Sequence, residues 1–467
     1  KTKFENTKLL NAEQKKAADK INVSVKKQKS DCFLLDGVPG SGKTETYFQT
    51  VKACLDEGKQ ILILLPEISL TPDWEKRFYQ TFSFAPLVWH SGITNTKKKK
   101  IWLSALNGSA GVIVGARSAL MLPISNLGLI IVDEEHEPAF KQEEGVRYNA
   151  RDMAIYKAIR SSAPIVLASA TPSLETFHNM KIGKYIHLTL PKRATGAALP
   201  DIKLIDLKVN TPERGRWISS VLINEIKSKL DNREQSLLFL NRRGYAPLTI
   251  CNSCGNKIKC VNCDTWLVEH RSQDILVCHH CGYTKRISNT CSICGVEGQI
   301  KACGPGVERI EEEINQLFPE AKLTVLSSDT MKSQKTLIKT LENIKKNKVD
   351  IIIGTQMIAK GHDFPDLKLV GIIDSDIGLS GGDLRASERS FQLLQQVSGR
   401  SGRHSINKED KGIVFLQTYD EENPIIRAIA KNNRDDFFEK ELLSRRKANM
   451  PPYGSCLLYT SDAADEC

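Results

Sequence analysis

The segment GVPGSGKT at residues 37–44 constrains the fold of this 467-residue chain more than any other feature. It matches a phosphate-binding loop, in which backbone N–H groups and the start of a helix surround phosphate oxygens. Such a loop needs a buried strand before it and a helix after it. CFLLD precedes it as an apolar run, and ETYFQTVKACLDEG follows as a helix-like stretch. These flanks argue against a chance glycine-rich turn and predict an α/β fold.

The order of the other apolar runs indicates two α/β units in succession. In the first unit, strands are predicted at CFLLDG, QILILLP, AGVIVGA, LGLIIVDEE and PIVLASAT. The second unit repeats the pattern with QSLLFLN, KLTVLSSD, DIIIGTQ, LVGIIDSD and GIVFLQT. Strands that alternate with helices predict parallel sheets covered by helices on both faces. We therefore expect two RecA-like lobes, with a cysteine-rich insert after the first strand of the second sheet.

Composition excludes several classes of protein. Hydrophobic residues make up 40% of the chain and charged residues 26%, which is typical of a globular protein rather than a disordered or collagen-like one. No apolar run approaches the ~18 residues that a membrane span needs. The formal net charge of +11 permits a polyanionic partner without proving one.

The nucleotide site is predicted to combine the loop with the strand LGLIIVDEEHE at 127–137. Lys43 should reach the β- and γ-phosphates, and the Thr44 hydroxyl should bind Mg²⁺. Asp133 should hold Mg²⁺, and Glu134 should orient or deprotonate the attacking water. A surface turn with acidic residues could look similar, but the pairing with the phosphate loop favours the catalytic interpretation. His136 is either a plain polar residue or a link between hydrolysis and motion.

Two further motifs complete this prediction. SATPS at 169–173 follows a buried strand and could be only a turn of small polar residues. QVSGRSGR at 396–403 places Gln396, Arg400 and Arg403 at helical spacing. Arginines of this kind stabilise charge on a γ-phosphate. A solvent-facing basic helix is the alternative. A two-lobe ATP cleft that closes on ATP and reopens after hydrolysis would use these arginines.

Eight of the 13 cysteines form four CxxC pairs, at 251/254, 260/263, 278/281 and 291/294. Each CxxC turn can place two thiolates on one edge of a tetrahedron, so two pairs complete one zinc shell. Four pairs predict two closed zinc sites, which leave no open position for catalysis. The insert is therefore predicted to be structural or to serve recognition. Spacing alone does not choose which pairs combine.

Together these residues resemble the PriA family of replication-restart helicases in superfamily 2. The resemblance runs from about Leu10 to about Leu458 and depends on motifs in both units and on the insert. It is carried by LNAEQKKA, GVPGSGKTE, LLPEISLTPD, VGARSAL, DEEHE, FKQEEGVRYNARD, SATPSLE, LFLNRRGYAP, the CxxC pairs, IIIGTQMIAKGHDFPDL and DLRASERSFQLLQQVSGRSGR.

The resemblance implies roles for individual residues. Gln14 resembles the glutamine that reads adenine ahead of the phosphate loop, and with Gln396 it joins the loop residues as nucleotide ligands: Gly37, Val38, Pro39, Gly40, Ser41, Gly42, Lys43 and Thr44. Arg400 and Arg403 resemble the arginines that complete the cleft. DNA contacts are implied for Arg117, Ser118, Phe140, Arg147, Tyr148, Thr355 and Lys360, with simple packing as the alternative for each. The implied zinc pairing is nested, with Cys251, Cys254, Cys291 and Cys294 at one site and Cys260, Cys263, Cys278 and Cys281 at the other.

The resemblance also sets the expected domain limits. Family members carry a 3′-end-binding domain and a winged helix ahead of the motor, and we expect both to be absent from this chain. We expect the C-terminal domain to be truncated. The expected divisions are a linker remnant at 1–9, lobe 1 at 10–200, lobe 2 at 201–250 and 304–424, the two-site zinc insert at 251–303, the start of the C-terminal domain at 425–458 and a non-native tail at 459–467.

The resulting prediction is an ATP-dependent 3′→5′ DNA helicase that acts at stalled or abandoned replication forks and assembles the primosome. Its expected cofactors are ATP, Mg²⁺ and two Zn²⁺. Forked and single-stranded DNA, the single-stranded-DNA-binding protein and primosome proteins are the implied partners, for a monomer in the bacterial cytoplasm. The alternative is a zinc-dependent primosome platform with secondary DNA-stimulated ATPase activity. A phosphate-loop enzyme acting on small molecules fits the four cysteine pairs poorly.

Overall fold

The apolar runs become the central strands of two parallel sheets in a computed structural model of the chain. The structure describes residues 9–454 except 67–71, 143–144, 242–247, 252–253, 255–257, 263–266, 271–274, 279–282, 287–289, 298–299, 304–305, 328–329, 332–333, 360–363, 377–378, 380–383 and 405–410. Of the helices in these ranges, not one is both long and apolar enough to cross a bilayer.

The first lobe is built on a parallel sheet covered by helices. Its strands and a small hairpin are β1 (Cys32–Gly37), β2 (Gln60–Leu64), β3 (Leu87–Trp89), β4 (Val112–Gly115), β5 (Leu127–Asp133), β6 (Lys141–Gln142), β7 (Tyr148–Asn149), β8 (Ile165–Ser169) and β9 (Ile186–Leu190). Strands β6 and β7 form the hairpin. The helices are α1 (Ala12–Lys27), α2 (Lys43–Asp56), α3 (Pro72–Phe82), α4 (Asn95–Leu106), α5 (Ala150–Arg160) and α6 (Leu174–Lys181).

Strand order in the first lobe brings the phosphate loop and the acidic strand to one edge of the sheet. The order is β3-β4-β2-β5-β8-β1-β9, and the pairings are parallel. Because parallel strands end at the same edge, the segments after β1, β5 and β8 converge there. Two apolar cores pack on the sheet, one around Phe48 and the other around Ile130.

The second lobe repeats this architecture around the insert. Its strands and those of the insert are β10 (Asp201–Asp206), β11 (Gln235–Phe239), β12 (Leu248–Cys251), β13 (Val268–His270), β14 (Ile275–Val277), β15 (Thr284–Arg286), β16 (Ile300–Cys303), β17 (Leu323–Leu326), β18 (Ile351–Gly354), β19 (Leu367–Ile372) and β20 (Ile413–Thr418). Its helices are α7 (Ser220–Asp231), α8 (Val307–Leu317), α9 (Gln334–Lys345) and α10 (Ala386–Ser398), and α11 (Pro424–Ala430) and α12 (Arg434–Lys447) follow.

These pairings confirm the predicted fold class, with one correction to the order of strands. The second parallel sheet has the order β10-β20-β19-β11-β18-β17, and the insert forms a separate antiparallel sheet, β15-β14-β13-β12-β16. The insert therefore follows the second strand of its lobe, and the predicted position after the first strand is wrong. Strand β10 was missed because DIKLID alternates exposed and buried residues at the edge of the sheet.

The two lobes meet along helix α10 and the SATPS segment. The Glu388 carboxylate on α10 accepts a hydrogen bond from the Leu174 backbone N–H at 2.9 Å. The Gln392 side-chain amide donates to the Thr171 carbonyl at 3.2 Å. Both contacts are buried, so the end of β8 in the first lobe is held against the second lobe.

Helix α12 contributes an ion pair at the base of the phosphate loop. The Arg434 guanidinium bonds both oxygens of Asp36, at 2.6 and 2.7 Å, and His187 lies 3.1 Å from the same carboxylate. Burial by itself would raise the pKa of Asp36, but the hydrogen bonds from His187 and Arg434 outweigh it and hold the pKa below its usual value. The end of β1 is thereby tied to the segment after residue 425.

Replacing Asp36 by asparagine is expected to lower the free energy of unfolding by about 3 kcal/mol, because it leaves a mostly buried arginine without its buried carboxylate partner. Since the folded pKa is depressed, this contribution is complete above the ordinary carboxyl pKa of about 4 and is lost as the pH falls through the folded value. Urea unfolding at several pH values measures it. The exposed partner of the same arginine provides the control, and Asp435→Asn should change stability by less than about 1 kcal/mol.

Candidate functional site

The phosphate loop connects β1 to α2 in the conformation that the sequence predicts. Gly40 and Gly42 have φ of +82° and +80°, a region that favours glycine. Helix α2 begins at Lys43, whose ammonium donates to the Gly37 carbonyl at 3.0 Å. The N-terminus of α2 therefore points its backbone N–H groups toward the loop, where phosphate oxygens would be stabilised.

Gln14 lies against this loop from helix α1. Its side-chain carbonyl accepts from the Asn11 backbone N–H at 2.9 Å, while the Asn11 side chain accepts from the Gln14 backbone. This capping box fixes the start of α1. The amide of Gln14 then donates to the Ser41 carbonyl at 2.8 Å. Gln14 is thus positioned at the cleft, and its reading of adenine stays a prediction.

Asp133 ends β5 beside the start of α2. Its carboxylate accepts a hydrogen bond from the Tyr47 hydroxyl at 2.9 Å, and the Trp74 indole N–H donates to that hydroxyl at 3.1 Å. Burial and the charge of Glu134 raise the pKa of Asp133 to about 6. Asp133 and Thr44 line the same cleft, and their oxygen atoms are the ligand type that Mg²⁺ prefers. These two residues therefore fit the predicted Mg²⁺ site.

The acidic turn after β5 connects the two lobes through His136. Glu134 has a φ of +49°, a left-handed conformation that costs an ordinary residue about 1–3 kcal/mol. His136 Nδ1 lies 2.7 Å from the Ser169 hydroxyl, and its Nε2 lies 2.5 Å from the Gln396 amide of the second lobe. His136 therefore joins the acidic turn, SATPS and QVSGRSGR, and a link through it between hydrolysis and motion stays a prediction.

The arginines of QVSGRSGR face the phosphate loop across the cleft. Arg400 donates to the Ala359 carbonyl, and Arg403 Nε donates to the Gly399 carbonyl at 3.0 Å. The lobes approach closely here, since a Cβ added at Gly399 would lie 2.6 Å from Pro39 Cγ. The cleft has a volume of about 710 Å³, and residues of both lobes line it, among them Gln14, Lys43, Thr44, Asp133, Glu134, Gln396, Arg400 and Arg403.

Sequence reasoning missed two residues, Tyr47 and Glu135, that support the segments around this cleft. Tyr47 stands one helical turn after Thr44, and that spacing was the signal that it shares the face of α2 that meets β5. Glu135 is buried and accepts from the Ser173 backbone N–H at 2.7 Å and from Arg151 at 3.2 Å. The second glutamate of DEEHE thus ties β5 to SATPS and α5.

Four of the implied DNA-contact residues lie at or next to the hairpin of β6 and β7, and the structure buries one of the four. Phe140 is only 1% exposed and packs in the core around Ile130, so its ring is not available to stack on a base. Arg117 donates to the Lys141 carbonyl at 2.8 Å and so supports the segment that follows Phe140. The others remain predictions: Ser118 and Arg147 are exposed, Tyr148 and Thr355 are half-buried, and Lys360 lies outside the described residues.

Four of the insert's cysteines come together. The Cys251 and Cys294 sulfurs lie 3.7 Å apart, as do those of Cys254 and Cys291, and the four sulfurs lie within 4.8 Å of one another. A tetrahedral zinc site with zinc–sulfur bonds of about 2.3 Å requires sulfur–sulfur separations near ~3.8 Å, so these residues fit zinc. Hydrogen bonds from the Cys294 and Ile293 backbone N–H groups lower the pKa of Cys291 to about 6, which favours the thiolate.

The second predicted set is only half described. Cys260 and Cys278 share a small buried cluster with Leu267 and Leu276. Cys263 and Cys281 lie outside the described residues. The grouping of the first four cysteines is the nested arrangement that the resemblance implies, and the second site stays a prediction.

Family models match three parts of the chain. DEAD/DEAH box helicase matches residues 11–180, the PriA DNA helicase Cys-rich region domain matches 260–286, and the Helicase conserved C-terminal domain matches 289–405. These segments correspond to the first lobe, the insert and much of the second lobe. The matches therefore agree with a fold of two lobes and an insert.

Similar proteins extend over nearly the whole chain. A protein of Rickettsia conorii named Replication restart protein PriA is 47% identical over 95% of this chain and 67% of its own length. The protein of that name from Bacillus subtilis is 39% identical over 97% of this chain and 56% of its own length. Among solved structures, RecG bound to a three-way DNA junction has a TM-score of 0.51 at 17% identity, covering 94% of this chain and 47% of that one. It shares the fold. The chain belongs to the PriA family of ATP-dependent DNA helicases.

Proposed function

We propose that this chain converts ATP hydrolysis into 3′→5′ movement along DNA and unwinds it at stalled or abandoned replication forks, as a step in replication restart and primosome assembly. The observation that carries the proposal is the cleft between the lobes, where the phosphate loop and Glu134 face Arg400 and Arg403. Relatives named Replication restart protein PriA support the place in replication.

The proposed chemistry assigns one task to each side of the cleft. Lys43 and the N-terminus of α2 bind the phosphates, and Glu134 orients the attacking water. Thr44 and Asp133 would hold Mg²⁺, which supplies positive charge at the phosphates. Arg403 stabilises the charge that develops on the γ-phosphoryl group, which requires the second lobe to be in place. Hydrolysis is therefore coupled to the separation of the two lobes, because only the closed cleft contains both sets of groups.

The contacts of His136 suggest how the two lobes sense each other. His136 lies within hydrogen-bonding distance of Ser169 in the first lobe and Gln396 in the second. A movement of the acidic turn at 133–137 would therefore alter the contact between His136 and Gln396 on α10. In our proposal this path links the state of the nucleotide to lobe movement along single-stranded DNA.

The test measures ATP hydrolysis with and without single-stranded or forked DNA, with Lys43→Ala alongside, and strand displacement on partial duplexes with 3′ or 5′ single-stranded tails. Strong DNA stimulation that disappears in the variant would support the proposal. Displacement that requires the strand polarity opposite to 3′→5′ would contradict the direction. A folded, zinc-loaded chain without hydrolysis would contradict the motor and favour the alternative below.

The alternative is a zinc-dependent primosome platform in which hydrolysis is secondary. The observation in its favour is apolar exposure on the insert, where Val261 is 74% and Ile293 72% exposed. Each stands next to a cysteine of the CxxC pairs, and neither is among the residues that line the ATP cleft. Retained primosome assembly by a Lys43→Ala variant would favour the platform.

Zinc is proposed to hold the insert together, and two ions per chain are expected. Replacing Cys251 by serine should remove one ion, because it deletes one of the four converging sulfurs, and should loosen the antiparallel sheet of the insert. Metal analysis and hydrogen exchange measure the two effects. Cys32→Ser in β1 is the control and should leave both zinc ions bound. An unchanged zinc content in Cys251→Ser would contradict the assignment.

A further inference from the structure

The segment that joins the lobes contacts both halves of the cleft. It follows β9 and contains Arg193, Ala194 and Thr195. The Ala194 backbone N–H donates to the Gly40 carbonyl of the phosphate loop at 2.9 Å. The Thr195 hydroxyl donates to the Arg403 carbonyl of the opposite lobe at 2.9 Å. Neighbouring residues of one connection therefore hold the phosphate loop and the turn at 399–403, called the arginine turn below because it bears both cleft arginines.

Arg193 makes four hydrogen bonds in this connection. It is 3% exposed, and its guanidinium donates to four backbone carbonyls, three of them in the arginine turn. A planar guanidinium suits this arrangement because its donors are fixed in a fork. The distances are 2.7 Å to Gly402, 3.0 Å to Ala198, 3.1 Å to Ser401 and 3.2 Å to Gly399.

The arginine turn is also anchored from its own lobe. The Ser401 hydroxyl donates to the Lys368 carbonyl at 2.7 Å, and the Gly402 N–H donates to the Leu367 carbonyl at 2.9 Å. Arg193 approaches the same turn from the connecting segment. The position of the arginines relative to the phosphate loop therefore depends on contacts from both directions.

We propose that Arg193 is a positioning residue for ATP hydrolysis, which holds the arginine turn, and with it Arg400 and Arg403, at the correct distance from the phosphate loop. The inference rests on the proposed ATPase function. Arg193 acts through the two arginines and not on the nucleotide, since these four hydrogen bonds direct its donors at backbone carbonyls. A displacement of about 1 Å in a catalytic group can lower a rate about 100-fold, so the effect on hydrolysis should be large.

The first test compares kinetic constants for Arg193→Gln and Arg193→Lys. Both should lower kcat about tenfold or more while the KM for ATP changes less than about twofold, because the phosphate loop is intact. Lysine keeps the charge but cannot reproduce the fork, so it should not restore the rate. Full activity in Arg193→Lys, or an equal change in kcat and KM, would overturn the proposal.

The second test is a double-mutant cycle with Arg403→Ala. If Arg193 acts through the arginines, adding Arg193→Gln to Arg403→Ala should lower kcat by a clearly smaller factor than Arg193→Gln does in the unmutated chain, because only Arg400 is then left for it to position. Losses that multiply would overturn the proposal, because they would show that Arg193 has a separate, merely structural role. Lys157→Met is the matched control, because Lys157 also donates to two backbone carbonyls, of Leu120 and Leu122, and does not line the cleft. It should leave kcat unchanged.

A binding measurement tests the role of Arg193 without relying on the rate of ATP hydrolysis. Arg193→Gln should bind ADP as the unmutated chain does but should bind ADP with aluminium fluoride, which mimics the transferred phosphoryl group, at least about tenfold more weakly. Equal binding of the mimic by both proteins would overturn the inference alone. An unmutated chain that neither hydrolyses ATP nor prefers the mimic to ADP would contradict the proposed function, and the inference with it.

Discussion

Replacing Arg403 by alanine is expected to lower kcat for DNA-stimulated ATP hydrolysis by about 10³-fold or more, the range seen when an arginine that stabilises phosphoryl charge is removed. Arg403 lines the cleft opposite Lys43, and its Nε donates to the Gly399 carbonyl. ATP binding should change little, because the phosphate loop lies in the other lobe. Steady-state hydrolysis at saturating DNA and binding of a fluorescent ATP analogue measure the two quantities.

The control for Arg403 is Arg446→Ala, which removes the same charge from an exposed position on α12. It should leave kcat within about twofold of the unmutated value. Arg403→Lys separates charge from geometry, since lysine supplies a point charge without a fork. A fall in kcat smaller than about tenfold in Arg403→Ala would show that another group stabilises the γ-phosphoryl charge.

Replacing Glu134 by glutamine is expected to lower kcat about 10²–10⁴-fold, the usual effect of removing a general base. Glutamine keeps the size of the side chain but cannot accept a proton at neutral pH. ATP binding should persist, so the variant should remain bound to ATP and DNA together. Single-turnover hydrolysis and DNA-binding measurements in the presence of ATP distinguish a loss of chemistry from a loss of binding.

Glu57→Gln provides the control for Glu134. Glu57 is an exposed carboxylate at the end of α2 in the same lobe, so its loss changes the net charge equally without touching the cleft. Its kcat should equal that of the unmutated chain. If Glu134→Gln kept more than about a tenth of the unmutated kcat, water would have to be activated by a different residue.

The strands that the sequence predicted and those it missed differ in their place in the sheets. The buried strands β1, β2, β5 and β8 have neighbours on both sides and read as continuous apolar runs. Of the strands in the two parallel sheets, the missed ones, β3, β9 and β10, lie at sheet edges. Strand β3 is only three residues long, and β9 and β10 alternate buried and exposed side chains. An edge strand has one neighbour and partly faces water, so it needs no continuous apolar run.

The candidate site shows a similar division. Lys43, Asp133 and Arg403 were found from local patterns, because a phosphate loop and a strand-end carboxylate each need particular residues at fixed spacing. Phe140 fitted the pattern of a base-stacking loop, yet the first lobe buries it. Whether an aromatic ring is exposed depends on which side chains pack against it in the fold. The neighbouring residues in the sequence do not determine this.

By itself, the sequence determined the fold class and the position of the phosphate loop and predicted the cysteine pairs as metal ligands, because each depends on residues close together in the chain. Only the tertiary structure decided that His136 meets Gln396, that Arg193 holds the arginine turn and that Arg434 pairs with Asp36. The partners in these contacts stand 260, 209 and 398 residues apart. Their contacts form only when two separately built sheets pack together, so no local spacing encodes them.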